Sequence, residues 1–216
     1  PSGRASLTGA VCLGTALLLG GVGAAAQVSP LSLGLAGLIA IAALTYDRYS
    51  KHHSLLGPVN MGLCRSGNLL LGISAAAIQV QTLWFLAAIP LAYIGAITAI
   101  SQGEVNGGQR RTGIVALCLL GGVIGALLAL GLLPGVQAIT LWPFGLLLAG
   151  LVVPSFWRAA KMPTAEMSRA AVKAGVLSLI VLDAALASGF GGWLYGLCVL
   201  ALLPLSAGLA RLFVVT

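Results

Sequence analysis

The sequence carries very little charge. Only 7% of its 216 residues are Asp, Glu, Lys or Arg, whereas soluble domains usually carry about 25%. Hydrophobic residues make up 59% of the chain, and the mean hydropathy is +1.08. A soluble fold of this size could not cover its core with so few polar groups, so the solvent around most of the chain must be lipid.

Cysteine and carboxylate side chains are also scarce, and this excludes several kinds of site. The four cysteines lie in apolar runs and form no CxxC pair, which argues against a disulfide framework or a zinc site. His52 and His53 have no third ligand at metal spacing.

Bases outnumber acids 11 to 4, for a net charge of +7. They stand beside apolar runs, where they act as topology signals and as contacts for anionic headgroups or phosphates. There is no RNA-binding or helix-turn-helix motif, so no nucleic acid partner is expected.

What the sequence has in quantity is long apolar runs. Spans of about 20 residues, separated by turn signals such as Ser29-Pro30, Gly57-Pro58, Pro134-Gly135 and Pro163, predict transmembrane helices. The first run superficially resembles a signal peptide but is too long for one, and further spans follow it. We therefore predict an all-α polytopic bundle, a single domain over 1–216. Its eight spans lie at about 6–26, 31–47, 59–78, 83–101, 112–132, 138–157, 170–189 and 193–213.

The charged residues fall in alternate connections. They occur before the first span, at 47–51, at 104–111, at 158–173 and near the C-terminus, while the other connections carry none. With eight spans, every charged segment lies on one side of the bilayer. The positive-inside rule makes that side cytoplasmic. The prediction is an integral protein of the bacterial inner membrane with both chain ends inside.

Two ionisable residues fall within predicted spans. Arg65 lies about two turns into the third span, and Asp183 lies deep in the seventh. Such residues are costly in lipid and usually face a cavity or a partner. The alternatives are that Arg65 snorkels to the interface and that Asp183 is a protonated or hydrogen-bonded structural residue.

The densest polar chemistry lies between Tyr46 and Asn68. Arg65, Asn68 and Gly72 share one face of the third span, because they recur at helical spacing. Together with Lys51, the Arg65 and Asn68 side chains are candidates to hold a phosphate group, Lys51 as a point charge and Arg65 as a fork. The equal alternative is polar contact between helices beside an ordinary basic loop.

A second polar cluster covers 101–111. Glu104 is its single acid and a candidate ligand for magnesium, although phosphate-bound magnesium commonly uses one or two carboxylates together with substrate oxygens. A capping loop is the alternative interpretation.

At these residues the chain resembles the UbiA superfamily of intramembrane prenyltransferases. Pro1-Ser2-Gly3-Arg4 is similar to the end of the segment that follows the family's first aspartate-rich motif, and 46–51 is similar to its tyrosine–lysine motif. Leu56-Gly57-Pro58 with Asn60-Met61-Gly62 and Arg65, and the tail from Arg169 with its 172–178 segment, resemble the EboC-like branch. The resemblance covers essentially the whole chain.

The resemblance implies a helical bundle with a cavity open to the cytoplasm. It implies transfer of a polyprenyl group from a prenyl diphosphate to a lipophilic acceptor, with Mg²⁺ and two aspartate-rich motifs holding the diphosphate. Tyr46 and Lys51 carry over as diphosphate contacts, and Glu104 carries over to the second motif, where several aspartates are expected. The first motif and two helices would precede Pro1.

Three functions remain open from the sequence. The first is the prenyltransferase. The second is a non-catalytic binder or transporter of an isoprenoid or another lipophilic metabolite on the same fold. The third is a membrane scaffold, against which the two intramembrane charges argue.

Overall fold

The structure is a computed structural model that describes residues 6–50, 53, 56–103 and 107–212, without the side chains at 77, 207 and 210–212. All regular secondary structure in these ranges is helical. The helices are α1 (Leu7–Ala26), α2 (Pro30–Arg48), α3 (Leu56–Ile73), α4 (Ala77–Leu83), a 3₁₀ turn (Trp84–Ala87), α5 (Ala88–Ser101), α6 (Arg110–Leu130), α7 (Ala138–Lys161), α8 (Ala165–Gly191), α9 (Trp193–Leu200) and α10 (Leu202–Leu212).

The chain divides into two compact units, Pro1–Leu91 and Ala92–Thr216. The first unit contains α1 to α4, the 3₁₀ turn and the start of α5. The second contains the rest of α5 and α6 to α10. The single domain over 1–216 stays a prediction.

Within the described residues, six helical segments are long and apolar enough to cross a membrane. They are Leu7–Ala26, Pro30–Arg48, Ile78–Ser101, Arg110–Leu130, Ala138–Lys161 and Ala165–Gly191. Their outer surfaces are apolar too: in α1, where Ala25 is the one buried residue, Leu7 is 83% exposed and Leu17 is 67% exposed. Side chains of this kind require a lipid environment. The prediction of a membrane-embedded helical bundle is confirmed at this level.

The predicted third and eighth spans are not among these six helices. Helix α3 has 18 residues, and its apolar content is lowered by Asn60, Arg65 and Asn68. The eighth predicted span forms two shorter helices, α9 and α10, instead of one helix over 193–213. Six spans are therefore supported by length and composition, and eight spans stay a prediction.

Two prolines, Pro90 and Pro204, follow interruptions of the helices, whereas Pro143 and Pro154 lie inside the continuous helix α7. A proline has no N–H to donate to the carbonyl four residues earlier. Pro90 therefore leaves Leu86 O without its helical donor, and the chain forms the 3₁₀ turn just before α5. Pro204 does the same to Leu200, the last residue of α9. The predicted fourth span at 83–101 accordingly begins as α4, passes through the 3₁₀ turn and continues as α5.

In the second unit, α7 and α8 are joined by hydrogen bonds between side chains and backbone carbonyls. Thr140 Oγ1 donates to Ser188 O at 2.6 Å, and Ser188 Oγ donates to Thr140 O at 3.1 Å. Nearer the start of α8, Gly175 O accepts a 2.9 Å hydrogen bond from Tyr93 Oη of α5, and Tyr93 is 0% exposed. These bonds satisfy polar groups that would otherwise be unpaired in an apolar interior.

Glycine allows α6 to approach α7 closely. A Cβ at Gly113 would lie 2.7 Å from Ala160 Cα and 2.8 Å from Ala160 Cβ, so the two backbones touch at this point. Gly121, two turns farther along the same helix, has nothing within 4 Å of the corresponding position. Membrane helices commonly associate through small residues, because lipid supplies no hydrophobic driving force between them.

Gly113→Ala should lower the thermal stability of the protein. The added methyl group meets backbone atoms that cannot rotate away, and overpacking of this kind costs about 1–3 kcal/mol. Gly121→Ala is the matched control on the same helix, and it should leave stability unchanged or slightly higher. The measurement is the temperature of heating at which the monodisperse size-exclusion peak of the detergent-solubilised protein falls to half its height. Equal transitions for the two variants would contradict the close α6–α7 contact.

Candidate functional site

In the first unit, α2 and α3 are joined by hydrogen bonds near both of their ends. Ser32, in the first turn of α2, shares a 2.8 Å hydrogen bond with Ser74, just after α3. At the other end, Asn60 Nδ2 donates to Ala42 O and to Ser50 Oγ, both at 3.1 Å. The two helices therefore run side by side with fixed separation over about three turns.

Between these two sets of bonds lies an apolar groove of about 700 Å³. Its walls are α2, α3 and the segment 84–91. Ser66 Oγ, the one side-chain polar atom of α3 among the lining residues, donates to Ala87 O at 2.7 Å and so joins α3 to the third wall. Trp84, which is 65% exposed, and Phe85 supply aromatic surface. The volume falls within the range of about 300–1,000 Å³ that is typical of small-molecule sites.

Helix α2 presents one continuous face to the groove. The α2 residues that line it are Leu35, Leu38, Ile39 and Ala42, a set with helical spacing. Tyr46 follows Ala42 by four residues, so it continues the same face one turn toward the α2–α3 connection. It is half-buried. Of the described residues that were predicted to contact a diphosphate (Tyr46, Arg65 and Asn68), Tyr46 is the one that the structure aligns with the groove.

The same end of the groove carries two polar residues that the sequence analysis did not assign to the site. Asn60 lies three residues before the groove-lining Leu63 and seven before Gly67, so it stands on the side of α3 that faces α2. Ser50, which is buried, accepts its hydrogen bond. The spacing of Asn60 from Gly67 is visible in the sequence, but only the bond to Ala42 O shows that this side of α3 faces α2.

Arg65 and Asn68 lie on a different face of α3. The α3 residues that line the groove are Leu63, Ser66, Gly67 and Leu70. At about 100° per residue, Arg65 and Asn68 point to the opposite side of the helix from the centre of that set. Arg65 is half-buried and Asn68 is exposed. The structure places these two residues on one helical face, as predicted, but does not bring them to the groove, and their contact with a phosphate stays a prediction.

Lys51 and Glu104 lie outside the described residues. Lys51 follows Ser50 directly in the sequence, and its contact with a diphosphate stays a prediction. Glu104 belongs to the second unit. Before Glu104 in the sequence, Gly103 packs against Ser168, since a Cβ at Gly103 would lie 2.7 Å from Ser168 Oγ. After it, Gly108 N donates to Pro163 O at 2.8 Å.

The resemblance implies a magnesium ion, and the donor set for one is incomplete in the described residues. Within the described ranges, no three His, Cys, Asp or Glu side chains come together in a way that could hold a metal. Glu104 is the candidate ligand, and its position is not described. Magnesium binding stays a prediction.

Comparison with known proteins gives no match of any kind. No family, no curated protein and no solved structure matches this chain.

Asn60→Leu should destabilise the first unit. The substitution removes the bonds to Ala42 O and Ser50 Oγ, and interhelical hydrogen bonds in membrane proteins contribute about 0.6 kcal/mol each, up to about 1.7. We expect a loss of roughly 1–2 kcal/mol, seen as a lower thermal transition in detergent. Asn68→Leu makes the same change on the exposed face of α3, and its transition should match that of the wild type. If Asn68→Leu proved as damaging as Asn60→Leu, the assignment of α3 faces would be wrong.

Proposed function

We propose that the protein binds an isoprenoid-type lipid in the groove between α2, α3 and the segment 84–91, with the polar head at the Tyr46 end. The observation that carries this proposal is an almost wholly apolar groove of about 700 Å³ whose lining face on α2 continues to Tyr46 at one end. Ser50 and Asn60 lie at the same end, whereas the Ser32 and Ser74 hydroxyls at the other end are bonded to each other. A prenyl chain with a charged head fits an apolar groove that has polar groups available at the Tyr46 end.

Shape and head-group contacts supply the selectivity of this site. A chain that moves from the bilayer into an apolar groove gains little hydrophobic free energy, because the lipid around the protein is equally apolar. Preference for one lipid must come from the fit between aromatic and aliphatic walls and from polar contacts at the head. Trp84 and Phe85 provide flat, rigid walls, and Tyr46 and Lys51 provide a hydroxyl and a cation for a diphosphate.

The catalytic form of the proposal is prenyl transfer, in which the polyprenyl group of the bound diphosphate passes to a lipophilic acceptor. The alignment of Tyr46 with the groove-lining face of α2 supports it, together with the resemblance of 46–51 to the tyrosine–lysine motif. Cations and hydroxyl donors at that end would stabilise the negative charge that develops on the departing diphosphate. The binder or transporter uses the same groove without this step.

The membrane topology proposed with this function has eight spans. Helix α3 and the α9–α10 pair are the two additional crossing segments. In the first unit, the charged connection joins the end of α2 to the start of α3. In the second unit, the start of α6, the end of α7 and the start of α8 lie at the same end of the helices, and they carry the charged connections of that unit. This grouping of the charged connections supports a cytoplasmic location for them in a bacterial inner membrane.

Ala42→Phe should weaken binding of a prenyl lipid by about tenfold or more. The phenyl ring would project into the groove and displace several chain carbons, each of which contributes up to about 0.8 kcal/mol in water and less in a bilayer. Ala43→Phe is the matched control, because Ala43 is the next residue, is exposed and does not line the groove. The measurement is displacement of a fluorescent prenyl alcohol from the protein in nanodiscs. Equal affinities for the two variants would place the lipid elsewhere.

Full-length protein should bind prenyl diphosphate more tightly than the matching prenyl alcohol, and Lys51→Gln should reduce that preference. A diphosphate gains from a nearby cation, whereas an alcohol does not. Titrations with and without Mg²⁺ separate a metal-assisted site from direct contact with the protein. Arg65→Ala tests the other face of α3: if it removes the diphosphate preference and Lys51→Gln does not, the head group lies away from the groove. Failure of the diphosphate to bind under either condition would favour a carrier of uncharged lipophiles.

A further inference from the structure

The second unit gathers the ends of three helices at one place. Gly113, in the first turn of α6, touches Ala160 near the end of α7. Gly108 N, just before α6, donates a 2.8 Å hydrogen bond to Pro163 O in the turn between α7 and α8. The start of α6, the end of α7 and the start of α8 therefore form one surface, which we call the basic end.

Exposed bases dominate the basic end. Six Arg and Lys side chains lie there, and all six are exposed: Arg110, Arg111, Arg158, Lys161, Arg169 and Lys173. None of them lines the groove of the first unit. Glu166 is the single acid among the described residues of this surface. Such an excess of one charge attracts anions.

A tryptophan marks the depth at which these bases lie. Trp157 is 52% exposed, and Lys161 Nζ stands 5.0 Å from the centre of its ring. Tryptophan is enriched where membrane-spanning helices enter the headgroup region, and a cation above its ring holds the two side chains together. Val153, one turn earlier on the same helix, is exposed and apolar, so the charged surface borders directly on surface suited to acyl chains.

We propose that the basic end binds the headgroup of an anionic phospholipid, with the acyl chains lying along the exposed part of α7 next to Trp157. A soluble anionic partner would pair with the basic side chains but would leave the apolar surface beside them uncovered. A phospholipid matches both, because its phosphate and its chains are joined at the depth where Trp157 lies. This site belongs to the second unit and is independent of the proposed isoprenoid groove.

The test uses the full chain in a neutral detergent and two short-chain lipids with the same brominated acyl chains. One lipid is a phosphatidylglycerol and the other a phosphatidylcholine, and quenching of tryptophan fluorescence reports binding near an indole ring. The wild type should bind the anionic lipid at least fivefold more tightly. Trp157→Phe should remove most of the lipid-dependent quenching, which assigns the signal to this site.

Charge variants then locate the headgroup. Lys161→Gln should weaken binding of the anionic lipid about fivefold, the contribution of a single base near an anionic surface, and leave the zwitterionic lipid unchanged. Lys161→Arg should retain the affinity. Arg48→Gln removes one exposed base from the first unit and should have no effect. Equal quenching of the wild type by both lipids, or an equal loss from Arg48→Gln and Lys161→Gln, would overturn the proposal.

Discussion

In an apolar interior, each polar group of a helix must find its hydrogen-bond partner within the protein, and the helix contacts of this chain follow from that requirement. Thr140 and Ser188 exchange bonds with each other's carbonyls, and Tyr93 donates to Gly175 O. Among the described residues, no buried side-chain nitrogen or oxygen lacks a partner. Hydroxyl and amide groups therefore mark the contacts of α7 with α8 and of α2 with α3.

Small residues determine how closely those helices approach. The contact of Gly113 with Ala160 brings two backbones together, whereas Gly121 on the same helix faces open space. In the first unit, the bonds at Ser32 and Asn60 hold α2 and α3 side by side, and the groove lies along them. The interrupted helix around Pro90 completes the groove with aromatic side chains.

Much of the architecture was predictable from the sequence, because long apolar runs report helix positions directly. The predicted first span at 6–26 agrees with α1, and the predicted sixth span at 138–157 lies within α7, which extends to Lys161. The division of the last span was not predicted, although Pro204 was visible, because a proline in an apolar run is compatible with either a kinked helix or two helices. For the candidate site, Tyr46 continues the groove-lining face of α2 and Arg65 and Asn68 lie on the other face of α3, and their contact with a diphosphate stays a prediction.

The sequence by itself determined the lipid environment, the helical class and the grouping of charge in alternate connections, since these depend on composition and order along the chain. The tertiary structure decided which face of each helix meets a neighbour. Helices that are apolar on every side carry no hydrophobic stripe to mark a buried face, so single contacts such as Asn60 with Ala42 O make that choice. The groove exists only after those contacts form, and no spacing rule in the sequence specifies it.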